Sequence, residues 1–217
     1  MKLLLTSGGI SNKLIEKSLE SLADKPLKEL NVAFIPTASH WEEGDKSWLI
    51  TDLVICLKIF KSVDIVDISI LPKKKWKNRL DVADVIFIEG GNTGFLSYWV
   101  YKSEFNVYLE EIFSQKIYVG VSAGSMIMGK NILLNYSKLL YGEATEKWMN
   151  ERSISVLNFS IVPHYKSNYF TNINDANLQK IAKDTGEMIY ALDDNSVIKV
   201  VDEKIEIVSE GKWKKFE

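Results

Sequence analysis

The chain has 217 residues, with 46% hydrophobic and 26% charged residues, values that fit one globular domain spanning 1–217 with a core of its own. A formal charge of −2 gives no general attraction for nucleic acid or an anionic membrane, so neither is an expected partner. The single cysteine, Cys56, excludes an internal disulfide, and no uninterrupted apolar run approaches the ~18 residues of a membrane span.

The chain begins with Met1-Lys2-Leu3-Leu4-Leu5-Thr6, which is too short an apolar run for a signal peptide and reads as a first strand. A cytoplasmic location is therefore expected. Strands are predicted at Lys2–Thr6, Asn31–Pro36, Val63–Ile70, Asp84–Ile88 and Ile117–Val121. Most are continuously apolar, as strands covered on both faces of a parallel sheet must be. Helical periodicity occupies about Asn12–Ala23, Lys46–Lys61, Thr93–Gln115 with a break near Ser103, and Ala123–Gly129. This alternation predicts an α/β fold: a mostly parallel central sheet with helices on both faces. The basic run Lys73-Lys74-Lys75-Trp76-Lys77 reads as a solvated linker or helix start.

The last third differs. Ile154–Val162 is strand-like, Asn172–Lys183 is a helix closed by Gly186, and Met188–Leu192, Ser196–Val201 and Lys204–Val208 are short strands. Their connections, Asp193-Asp194-Asn195 and Asp202-Glu203, suggest extra antiparallel strands on the sheet's edge.

Two glycine-rich turns carry the chemistry. Gly120-Val121-Ser122-Ala123-Gly124 follows a buried strand and opens a helix. A turn that sharp needs small neighbours around a nucleophile, and it lifts the Ser122 hydroxyl to the edge where α/β sheets bind ligands. The plainer alternative makes Ser122 only a helix N-cap. Ile88-Glu89-Gly90-Gly91-Asn92-Thr93 has the same strand–turn–helix layout, with Asn92 as a candidate cap. The amide of Gly90 or Gly91, with that of Ala123, is a candidate oxyanion site. Neither turn matches a phosphate-binding glycine pattern.

A serine nucleophile needs a base, and the chain has two histidines. His164, stiffened by Pro163 at a strand's mouth, is favoured over His40. The base in turn needs an acid. Between Ser122 and His164 lie Glu143, Glu146 and Glu151; no spacing rule separates them, and Glu143 is preferred.

Ile88-Glu89-Gly90-Gly91-Asn92-Thr93, Gly120-Val121-Ser122-Ala123-Gly124-Ser125, Val162-Pro163-His164-Tyr165 and Phe34-Ile35-Pro36-Thr37-Ala38 together resemble the peptidase E (S51) family and its cyanophycinase relatives. The order and spacing agree over about residues 1–200. The resemblance implies an α/β/α sandwich similar to class I glutamine amidotransferases. It also implies hydrolysis of short peptides by Ser122 and His164, with Glu143 as third member and Gly90, Gly91, Asn92 and Ala123 binding substrate. No metal and no organic cofactor is implied. Two departures stand out. Glu89 replaces a third glycine of some relatives, where its carboxylate could repel an acidic substrate or recognise an amine. Residues 165–183 hold Lys166, Lys180 and Lys183 but no arginine, which speaks against aspartyl specificity, since lysine lacks the bidentate fork. The competing readings are an α/β-hydrolase esterase and a silent binding protein on the same scaffold. A small peptide is the expected substrate, and a homodimer is a candidate assembly.

Overall fold

The computed structural model describes residues 1–130, 132–143 and 152–217. In the first half, β1 (Lys2–Thr6), β2 (Asn31–Ile35), β3 (Ser62–Ile65), β4 (Val85–Ile88) and β5 (Ile117–Val121) alternate with α1 (Lys13–Glu20), α2 (Ser47–Ile59), α3 (Lys73–Asp81), α4 (Thr93–Lys102) and α5 (Phe105–Gln115). The short helix α6 (Ala123–Met126) starts directly after Ser122, and α7 (Ile132–Tyr141) follows. The remainder comprises β6 (Ser160–Val162), α8 (Asp175–Thr185), β7 (Ile189–Leu192), β8 (Ser196–Val201), β9 (Lys204–Ser209) and β10 (Trp213–Phe216).

The main sheet has the order β3-β2-β4-β5-β1-β8-β9. Its first five strands are parallel, while β8 is antiparallel to β1 and β9 to β8. Continuous apolar strands are explained by burial of both faces. Leu3, Leu5, Ala33, Ile35, Ile86, Ile88 and Tyr118 pack beneath Trp76, Leu96, Val100, Phe105 and Leu109 of α3, α4 and α5. Their neighbours in sequence, Leu4, Val32, Phe34, Val85, Phe87 and Val119, pack on the opposite side with Ile15, Leu19 and Cys56 of α1 and α2. The two-residue period of a strand thus divides each apolar run between two cores.

The mostly parallel, helix-covered sheet expected from the sequence is present. The break near Ser103 falls between α4 and α5, at Glu104, whose φ is 63°. Strand lengths differ: β3 keeps only Val63–Ile65 of the Val63–Ile70 run, and β6 only Ser160–Val162 of the Ile154–Val162 run. The lysine run takes the helical one of its two readings as α3, anchored by buried Trp76 and Leu80. The segment expected at the edge of the main sheet divides: β8 and β9 extend it, whereas β7 joins β6 and β10 in a separate three-stranded sheet. That sheet has its own apolar core of Val162, Ile189, Ala191 and Phe216 against Leu178 and Ile181 of α8. Among the described residues, no helix is long and apolar enough to cross a membrane.

Candidate active site

The parallel strands bring their C-terminal turns to one edge. β5 lies between β4 and β1, so the turns carrying Gly90-Gly91, Ser122 and Ser7-Gly8-Gly9 stand side by side. Antiparallel β8 pairs Val197 with Thr6, so its leading turn, Asp193-Asp194-Asn195, also opens at that edge. His164 follows β6, and the amide of the next residue, Tyr165, donates to the Leu192 carbonyl at 2.9 Å. The main sheet and the small sheet therefore each supply part of the site.

Ser122 has φ 45° and ψ −107°, a combination that side-chain-bearing residues rarely adopt and that costs about 1–3 kcal/mol. Close packing imposes it. A Cβ on Gly124 would lie 2.3 Å from the Ile88 carbonyl oxygen, and one on Gly120 would lie 2.6 Å from the Gly124 carbonyl oxygen. Ser122 makes no side-chain cap to α6, so the N-cap reading fails. Its Oγ instead lies 3.0 Å from His164 Nε2. Ser125 is fully buried, with its hydroxyl 2.8 Å from both the Thr6 and the Gly120 carbonyl oxygens.

Behind the imidazole, His164 Nδ1 is 2.7 Å from Asp194 Oδ1. The Ser7 hydroxyl donates to the same oxygen at 2.6 Å and accepts the His164 backbone N–H at 2.7 Å. Burial works to raise the Asp194 carboxyl pKa, but the hydrogen bond and charge of His164, with the Ser7 hydroxyl, prevail and hold it below the usual carboxylate value. Phe170 stacks on the His164 ring at 5.1 Å, which restricts its rotation. His40 is elsewhere, 3.0 Å from Asp67.

The acid expected at Glu143 is the main correction. Glu143 does not contact His164; its Oε1 accepts the Thr93 N–H at 3.4 Å and the Thr93 hydroxyl at 3.3 Å at the start of α4. Burial first, with the nearby Glu42 charge, raises its pKa to about 7, against the Thr93 hydrogen bonds. Glu146 and Glu151 lie outside the described residues. Asp194 follows both Ser122 and His164 in the chain, outside the segment between them that holds Glu143. Its available signal is the paired carboxylates of Asp193-Asp194 in the turn that leads into β8.

The glycine turn is also more specific than its sequence. Gly90 packs on Ser122: a Cβ there would come within 3.2 Å of Ser122 Cβ. Its N–H, however, donates to Glu89 Oε1 at 2.8 Å. Asn92 spends its side chain capping α4, with Oδ1 accepting the Phe95 N–H at 2.9 Å, and its own N–H reaches the Ala38 carbonyl. Gly91, at φ 130°, is required because a Cβ would lie 2.4 Å from the Ala38 backbone. Among the described residues no acceptor is found for the Gly91 N–H. Glu89 itself is fully buried and turned inward, so it does not present a carboxylate to an amine in the cleft. Among the described residues, no cluster of three or more His, Cys, Asp or Glu side chains could hold a metal ion.

The model of peptidase family S51 matches residues 3–208. The chain belongs to peptidase family S51. An uncharacterised peptidase of Listeria monocytogenes is 32% identical over 158 residues, covering 68% of this chain and 71% of that one. An uncharacterised peptidase of Pasteurella multocida is 30% identical over 143 residues, covering 64% and 67%. Among solved structures, a Listeria monocytogenes protein described as a candidate peptidase E superposes with TM-score 0.79 at 25% identity, covering 97% of this chain and 98% of that one. A peptidase from an acI-B1 actinobacterium shares the fold, with TM-score 0.57 at 16% identity over 99% and 96%. This S51 chain is a serine-type peptidase with the family's α/β architecture.

Proposed function

We propose that this S51 peptidase cleaves short peptides with Ser122 as nucleophile, His164 as general base and Asp194 as the acid that orients it. The observation that carries the reading is the continuous hydrogen-bond chain from Ser122 Oγ through both His164 nitrogens to Asp194. His164 Nε2 takes the hydroxyl proton as Oγ attacks the scissile carbonyl, and Asp194 stabilises the imidazolium that forms. The same imidazolium returns the proton to the leaving amine. A water, deprotonated by His164, then releases the acyl group from Ser122. The developing oxyanion is held by the N–H groups of Ala123, in the first turn of α6, and Gly91, since that of Gly90 is already committed.

An acidic side chain next to the scissile bond is disfavoured. Lys166, two residues past the base, is held 2.5 Å from Asp175, and Glu143 lines the start of α4 near the glycine turn. Peptides with neutral residues there are the expected substrates. The formed catalytic geometry favours an enzyme over a silent binding protein. A fluorophosphonate probe tests the reading: it should label the protein stoichiometrically, with labelling and peptide cleavage both lost in Ser122→Ala. An unlabelled wild type, or a Ser122→Ala variant that still cleaves, overturns it.

A further inference from the structure

The glycine turn is backed by a buried acid pair that the hydrolytic steps do not use. Glu89, at the end of β4, is 0% exposed, and Asp52 of α2 is 8% exposed. The two carboxyls lie close enough to hydrogen-bond to each other. Two carboxylates cannot do so, since neither has a proton to donate; the bond forms only when one of them is protonated. Glu89 Oε1 accepts the Gly90 N–H at 2.8 Å, while Oε2 has no partner of its own among the described residues. Oε2 is therefore the oxygen left to carry the proton toward Asp52. On the far side, the Gly9 position is closed by Asp52, whose Oδ1 would lie 2.4 Å from a Cβ there; the Gly8 position is closed by Asp194, whose Cβ would lie at 2.7 Å. One turn of two glycines thus separates the buried pair from the acid of the His164 chain.

We propose that Glu89 is a positioning residue that acts as a neutral acid: proton-linked to Asp52, it holds the Gly90 N–H inward and so presents the next amide, Gly91, to the oxyanion. This deepens the serine-peptidase reading and rests on it. Burial pushes both carboxyls upward, and the charge of Asp52 pushes Glu89 further. The other titratable group drawn into the cluster is Cys56 on α2, whose thiol is pushed up by burial and by both acids. The β1 turn contributes glycines, and His164 with Asp194 lies beyond it. Burial and the Asp52 charge both favour the protonated form of Glu89. At alkaline pH a second charge in this dry pocket would repel Asp52 and drive the Glu89 side chain, and with it the Gly90 peptide, from its place.

The test is the pH profile of kcat and KM for the full chain and three variants. Glu89→Gln keeps a neutral acceptor for Gly90. It should retain kcat within about threefold near pH 7 and lose the alkaline fall in activity. Glu89→Ala should lose kcat on the order of tenfold or more with little change in KM, because the oxyanion contact belongs to the transition state. Asp52→Asn removes the charge that keeps Glu89 protonated, so its alkaline limb should move to lower pH. If Glu89→Ala does not fold, the opposite movements in Glu89→Gln and Asp52→Asn decide the matter. The proposal is overturned if Glu89→Gln keeps the wild-type alkaline limb, or if Asp52→Asn leaves it in place. A wild type without Ser122-dependent cleavage would instead sink the peptidase reading beneath it.

Discussion

Replacing Asp194 by asparagine removes one charge while keeping an oxygen where Ser7 and His164 both bond. Asp194 Oδ1 is 2.7 Å from His164 Nδ1, which puts the carboxylate and imidazolium charge centres about 4 Å apart. At an effective dielectric of about 20, that attraction is about 4 kcal/mol. The Asp194 side chain is 54% exposed, so solvent screening reduces this to about 2–3 kcal/mol. The stabilisation exists only once His164 has taken the serine proton, so it falls on the barrier and equals a loss on the order of 10²-fold in rate. A larger loss, about 10⁴-fold, is expected only if the new amide nitrogen turns toward His164 and forces the wrong tautomer. The Ser7 hydroxyl, donating to Oδ1 at 2.6 Å, opposes that turn. The assay is the second-order rate of Ser122 labelling by a fluorophosphonate, with thermal unfolding checked in parallel. If Asp194→Asn labels at the wild-type rate while Glu143→Gln slows by 10²-fold, the acid has been misassigned.

Three further outcomes follow from the packing around the site. Ser122→Gly relieves the positive φ of 45° at an entropic cost smaller than the strain. It should unfold roughly 3 °C above Ser122→Ala in a calorimetric scan, both being inactive. Gly124→Ala places a methyl 2.3 Å from the Ile88 carbonyl oxygen. It should lose about 3 kcal/mol or more in denaturant unfolding, with β4 and the nucleophile turn forced apart. Burial raises Glu143 from its ordinary 4.5 to about 7, so folding takes up a proton in that interval. Its contribution to stability is fully present below about pH 4.5 and is lost as pH rises to about 7. Glu143→Gln should flatten the stability profile across that window by roughly 1–3 kcal/mol, and an unchanged slope would refute the burial argument.

Much of this protein was legible along the chain because it depends on local rules. Leu3-Leu4-Leu5, Val32–Ile35 and Val85–Ile88 announce parallel strands, since continuous apolar runs make sense only when neighbouring residues enter different cores. Gly120 and Gly124 mark Ser122, because a Cβ at either position would come within 3 Å of neighbouring backbone, so the turn tolerates no side chain there. Pro163-His164, read with a serine that needs a base, indicated the second partner. Asn92 showed both its possibilities, and the structure keeps the cap.

What the chain order could not convey is adjacency across strands. Asp194 reaches His164 because β8 runs antiparallel to β1, which returns the Asp193-Asp194-Asn195 turn to the edge where β1 ends. No spacing rule encodes that reversal, so the sequence points to Glu143, which is nearer His164 along the chain. Glu89 reads as a specificity residue for the same reason: only the tertiary packing buries it fully, beside Asp52 of α2 and with Oε1 accepting the Gly90 N–H. Sequence alone determined which residues were chemically able to act. The fold decided which of them meet, because hydrogen bonds reach only about 3 Å and that distance is set by how strands and helices pack, not by residue number.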